Sequence, residues 1–281
     1  VSISGSGISI DGGISLAPGG GAAATVSSLI AAQKPKKFFK MWEEVGFNIS
    51  DHGAEPSESM TAQGTTTFES ETPMLDDPTQ TAIEFNGTTG YILSTDAGDV
   101  VDFATGTFFC FFKFQTLTNG MLYSQGNAGG ATKGQIFHFD SSGTSQIWIR
   151  MRIDGGANFM ASILEPVGAA NIALNVWHMI AYRQPGLGAG PNAFWDGTFY
   201  TTADAELTNS IGGTEDLDAW FAETTAATDP ADRASIAASV DTVPTSFIDG
   251  LEFAVVIDDV VWSDANISAV WDAALANGLN A

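Results

Sequence analysis

The residue types best suited to chemistry in this sequence are carboxylates. Asp and Glu number 33 against 10 Lys and Arg, a formal charge of −23. Glu215, Asp216, Asp218 and Glu223 crowd into "GGTEDLDAWFAE", where a carboxylate pair for acid–base work would be sought. Asp96, Asp99 and Asp102 share the loop "STDAGDVVD", and Asp258 and Asp259 are adjacent. Such all-oxygen sets suit a hard divalent cation, although solvated loop acids are the commoner account. His52, His138 and His178 lie in different segments without helical metal spacing. Neither a G-x-S-x-G elbow nor a phosphate-cradling loop occurs. Cys110 is the single cysteine, which excludes an intrachain disulfide framework and a multi-cysteine zinc site. Within "TFFCFFKF" it reads as a small core hydrophobe. Trp148, Trp195 and Trp220 are the candidate platforms for a sugar ring. No active site is expected.

The elements that would position these residues are mainly strands. Residues 81–95 predict a hairpin, with Ile83 and Phe85 alternating before Asn86-Gly87 and Tyr91 and Leu93 alternating after it. Residues 105–117 form an aromatic strand buried on both faces along its middle. Residues 120–126, 134–143 and 145–154 follow, the last two joined by a Ser-Ser-Gly turn. In 145–154, Ile147, Ile149, Met151 and Ile153 face one way, and Trp148, Arg150 and Arg152 the other. Residues 175–184 and 192–202 make another pair. Strands at about ten-residue spacing with Gly, Asn and Asp turns define a sandwich or barrel.

The amino-terminal part differs in charge. Residues 1–40 hold four lysines and one acid, and the remainder holds six cations and 32 acids. Residues 1–25 form a Gly/Ser-rich arm in which Ile3, Ile8 and Ile10 belong to short alternating pairs. Such a segment is either a floppy tail or an extended arm that adds its backbone to a neighbouring sheet. Residues 26–78 are expected to hold a helical, basic stretch and then a polar connector. Phe38, Met41, Trp42 and Val45 would share a helix face, and Lys34, Lys36, Lys37 and Lys40 would form either a docking patch or a solvated face. Residues 79–281 are then the sandwich, interrupted by an acidic insertion at about 203–246 in which residues 228–240 begin like a helix at Asp229-Pro230.

Three stretches resemble the concanavalin A-like jelly roll of the laminin-G/pentraxin type. "AIEFNGTTGYILSTDAGDVVDFATGTFFCFFKF" resembles its opening, and "NVWHMIAYRQPG…NAFWDGTFYTT" its later strand pair. "GLEFAVVIDDVVWSDANISAVWDAALANG" resembles its closing strand and helix, with Ser263 or Asp264 as cap and Ile267, Val270, Trp271 and Leu275 packed down. The resemblance implies an all-β jelly-roll sandwich with a short helical segment. It also implies calcium at a rim, for which Asp96, Asp99 and Asp102 are the candidates; no other cofactor is expected. Glucanases of this fold carry Glu-x-Asp-x-x-Glu on one strand, but Phe221 stands here where the second Glu belongs.

The strongly negative charge argues against nucleic acid as partner. No apolar run reaches the roughly 18 residues of a membrane span, and no secretory signal is visible. The "SISGSGISIDGGISL" segment resembles structural proteins of marine tailed phages. That resemblance implies a non-enzymatic virion protein on the particle surface: a capsid decoration, cement or head-fibre subunit that is homo-oligomeric. It would be anchored to other virion proteins through its arm (Ile3, Ile8, Ile10) and its lysines, displaying a lectin-like sandwich with Trp195 and Trp220 toward a host-surface glycan. A tail appendage subunit and a free carbohydrate-binding lectin are the alternatives, and a glycoside hydrolase or lyase fits least.

Overall fold

A computed structural model describes residues 9–10, 14–15, 24–42, 48–54, 60–96, 100–129, 132–141, 144–153, 159–166, 172–186, 188, 190–213 and 216–280. In chain order, the strands are β1 (Ser9–Ile10), β2 (Ile14–Ser15), β3 (Lys37–Lys40), β4 (Asn48–Ile49), β5 (Met60–Gln63), β6 (Thr66–Glu71), β7 (Ala82–Asn86), β8 (Tyr91–Ser94), β9 (Gly106–Phe114) and β10 (Gly120–Gly126). They continue with β11 (Lys133–Ser141), β12 (Thr144–Arg152), β13 (Phe159–Leu164), β14 (His178–Gln184), β15 (Asn192–Trp195), β16 (Thr198–Tyr200), β17 (Leu207–Gly212), β18 (Arg233–Ile236) and β19 (Asp249–Asp258). The helices are α1 (Val26–Gln33), α2 (Phe221–Ala226) and α3 (Asp264–Ala276).

Two antiparallel sheets face each other. The nine-stranded sheet has the order β17-β13-β12-β11-β10-β18-β8-β5-β4. The eight-stranded sheet runs β16-β15-β14-β9-β19-β7-β6, with β3 also paired to β19. Inner-facing Phe108, Cys110, Phe112 and Phe114 of β9 meet Ile136, Ile147, Ile149 and Met151 of the other sheet. On the opposite face of β9, Phe109 and Phe111 join a second core with Val256, Trp262, Ile267 and Val270 beneath α3, and with Ile30 of α1. Covering on both faces is why β9 and β19 are almost continuously apolar, whereas β12 alternates. Cys110 lies in the inter-sheet core, as a small hydrophobe should.

Several sequence expectations need correction. Residues 37–71 supply β3 to β6, so the sandwich takes in most of the stretch expected to be a connector. Residues 37–40 are a strand: α1 stops at Lys34 in a left-handed cap, before Pro35. Phe38 then enters the outer core and Phe39 the inner one, an alternation that a helix would break. Residues 82–94 do not form a hairpin, because β7 and β8 belong to different sheets. Asn86 turns the corner between them, its Oδ1 accepting the N–H groups of Thr88, Thr89 and Gly90 at 2.9–3.1 Å. Residues 233–236 form β18, filling the gap between β10 and β8. Pairing on two sides outweighs the local helix signal there. Leu275, expected in the core, is 47% exposed.

At α3 and at the β14–β16 segment the expectations hold. Ser263 caps α3 by accepting from the Asn266 N–H, and Ile267, Val270 and Trp271 are buried. β14 pairs with β15 and β15 with β16, turning at Asp196 (φ 45°) and Gly197 (φ 95°).

Candidate functional site

The expected site residues do not converge. Asp96 and Asp102 are exposed, Asp99 lies outside the described residues, and no group of three metal-ligating side chains occurs among the described residues. Both Asp258 oxygens serve the fold: Oδ2 accepts from Trp262 Nε1 at 2.6 Å and Oδ1 from the Lys36 N–H at 3.2 Å. Burial holds its carboxyl above the usual carboxylate range. Ile3 and Ile8 fall outside the described residues; Ile10 pairs with Ile14 through its backbone in the β1–β2 hairpin.

The four lysines do not make one basic patch. Lys37 is buried, with Nζ 3.4 Å from Asp51, and Lys36 lies 3.6 Å from Asp259. Lys40 sits over the rings of Phe38 and Trp42. Lys34 is the α1 cap.

In the acidic stretch, Glu215 is outside the described residues. Asp216 accepts from the Asp218 N–H at 2.9 Å and Asp218 from the Gly188 N–H at 2.5 Å. Glu223 accepts from the Trp220 N–H at 2.7 Å and so caps α2; burial raises its pKa. Each of these carboxylates accepts a backbone N–H, and Asp216 and Asp218 lie near enough to Glu223 to add to the rise in its pKa. Trp220 is fully buried beside Phe221, so it presents no ring to a sugar.

Trp195 is 8% exposed, and its ring stacks on His178 at 4.8 Å. Only its margin reaches the open cleft of about 650 Å³ lined by Asp196, Phe199, Tyr200, Asp204 and Glu206. Two of those acids are already engaged: Asp196 with His178 Nδ1 at 2.6 Å, and Asp204 with the Thr201 N–H at 2.7 Å.

A more complete constellation lies on the outer face of the nine-stranded sheet. The β11–β12 register sets Phe137 opposite Trp148, Gln135 opposite Arg150 and Lys133 opposite Arg152. Because successive side chains alternate, these three rows share the face away from Ile147, Ile149 and Met151. Trp148 is partly exposed and bracketed by Phe137 (5.8 Å) and Phe139 (5.5 Å), and its Nε1 donates to Gln146 Oε1 at 2.9 Å. The Arg150 guanidinium lies 5.2 Å over the Phe137 ring and donates from Nη2 to Gln135 Oε1 at 2.5 Å. The sequence had placed Trp148 and Arg150 on this face but missed Phe137 and Phe139. The pairing register of β11 with β12 brings them there.

No protein-family model matches this chain, and no curated protein matches it in sequence. Solved structures are similar in fold. The CBM40 domain of the Ruminococcus gnavus IT-sialidase is 14% identical over 70% of this chain and 96% of its own, with a TM-score of 0.50. The same domain bound to α2,3-sialyllactose gives 14% identity over 67% and 94%, also at 0.50. A mutant NanB sialidase from Streptococcus pneumoniae is 12% identical over 66% of this chain and 27% of that one, at 0.50. Together with the two antiparallel sheets, these likenesses show the class: a jelly-roll β-sandwich of the concanavalin A-like kind, similar to carbohydrate-binding domains.

Proposed function

We propose that this chain is a non-enzymatic recognition module whose sandwich binds a saccharide on the outer face of the nine-stranded sheet. The carrying observation is the partly exposed Trp148 between Phe137 and Phe139 on the outer face of β11 and β12, flanked by Gln146 and Arg150. Sugar rings stack their C–H faces on such aromatics, while amide and guanidinium groups bond the hydroxyls. The similar CBM40 domain was solved with a sialylated sugar, which supports a saccharide as the ligand class. The acids at 216–223 are occupied in backbone capping, which speaks against the hydrolase reading.

In the same proposal, the amino-terminal arm carries the module on a larger particle. Its likeness to phage structural proteins suggests a virion, on capsid or tail, and the charge of −23 would keep many displayed copies apart. Binding of the full chain to a glycan array tests the recognition half. Trp148→Ala should abolish binding without shifting the thermal midpoint, and retention of binding would refute the assigned face. Stoichiometric co-purification with virus particles from the source tests the display half; if the chain is absent from particles, a free lectin remains.

A further inference from the structure

The proposed saccharide face carries a charge out of keeping with the rest of the molecule. With 33 acids against 10 cations, an unneutralised cation should be rare. On this sheet, Lys133 pairs with Asp241 at 2.7 Å and Arg233 with Asp232 at 3.0 Å. Arg150 has no ion pair among the described residues. Its Nη2 is held by the neutral Gln135, itself 2% exposed, and its buried Nε has no hydrogen-bond partner among the described residues. Burial and the neighbouring Arg152 both disfavour its charge, lowering its pKa. A guanidinium held in this way is oriented and under-compensated, the condition in which an anion gains most.

Resting on the reading of this face as a saccharide site, we infer that Arg150 selects sugars bearing an acidic group, a carboxylate or a sulfate ester. Register supplies the geometry. The Phe137–Trp148 row and the Gln135–Arg150 row are adjacent on one face, two residues apart along each strand, or roughly 6.6 Å. A pyranose stacked on Trp148 therefore presents a substituent of one ring edge to Arg150. The planar fork suits carboxylate and sulfate oxygens better than an ammonium would. A neutral sugar would leave the Arg150 charge as poorly compensated as before.

The test uses the full chain on an array of matched glycans: neutral oligosaccharides and their uronate, sialylated and sulfated counterparts. Hits are then measured by calorimetry. The acidic member of a pair should bind at least about tenfold tighter, roughly 1.4 kcal/mol, with affinity falling as salt rises. The arms that respond separate carboxylate from sulfate. Arg150→Gln should erase the preference, bringing the acidic member of each pair down to the affinity of its neutral counterpart, and Arg150→Lys should retain part of it. Should Arg150→Gln fail to fold, Arg150→Lys and the salt dependence of the wild type still decide. Equal binding of neutral and acidic members, or a preference that survives both variants, would overturn this inference and leave saccharide binding standing. Binding to no member would overturn both.

Discussion

The imidazole of His178 stacks on the indole of Trp195 at 4.8 Å with the planes inclined by 26°, and Asp196 holds its Nδ1 at 2.6 Å. Strand β14 is thereby locked to the β15–β16 turn, since Asp196 Oδ1 also accepts the Met179 N–H at 2.8 Å. Trp195 is in this sense a packing residue. Trp195→Ala should cost about 3–5 kcal/mol in denaturant unfolding. Selective loss of glycan binding at unchanged stability would contradict that assignment.

Glu252 is fully buried in β19, and neither carboxyl oxygen has a hydrogen-bond partner among the described residues. Burial pushes its pKa well up. The native state therefore keeps a proton that the unfolded chain releases near pH 4.3. With more protons bound in the native state, stability from this group is fully present below about pH 4.3 and falls as pH rises above it. Glu252→Met should raise neutral-pH stability by about 1–3 kcal/mol and flatten that decline, as read from urea midpoints across pH. An unchanged slope would show that some other group carries it.

Asn86 offers one carbonyl oxygen to three backbone N–H groups at the corner where the chain leaves one sheet for the other. Asn86→Ala should cost about 1 kcal/mol, because those donors are mostly exposed and can turn to water. A thermal melt would detect the loss, and a loss of several kcal/mol would mean the corner itself had collapsed.

Removal of residues 1–23 should leave the melting transition intact. A chain beginning at residue 47 should instead fail to fold or should aggregate. It lacks Phe38 and Phe39, both buried, and exposes the β19 backbone that β3 covers. If the shorter chain melts normally, the pairing of β3 with β19 is dispensable.

What the sequence disclosed follows from how local each signal is. The alternation of 145–154, the two-sided aromatic strand at 105–117 and the cap at Ser263 depend on neighbours within a few residues, and each was readable. Residues 37–40 and 233–236 are strands because distant partners, β19 in one case and β10 with β8 in the other, present unpaired edges to them. Nothing within the segments themselves announces that. Residues 81–95 misled for the opposite reason: the turn chemistry at Asn86 is real, yet it turns the chain across the sandwich rather than back along one sheet. The site was half legible. Alternation put Trp148 and Arg150 together on the face opposite Ile147 and Ile149, but their company of Phe137 and Gln135 needed the register between β11 and β12.

The place of β18 has a consequence for how the protein is made. Strands β8 and β10 flank it, yet both leave the ribosome before some 110 further residues, measured from Gly126 to Ile236, have been added. At about 5–20 residues per second, their facing edges stay bare for on the order of ten seconds. In that interval a neighbouring nascent chain on the same message can lend its own strand to the gap. Yield of the native sandwich should then depend on ribosome spacing and temperature during synthesis, even though the finished sheet shows no trace of the vacancy.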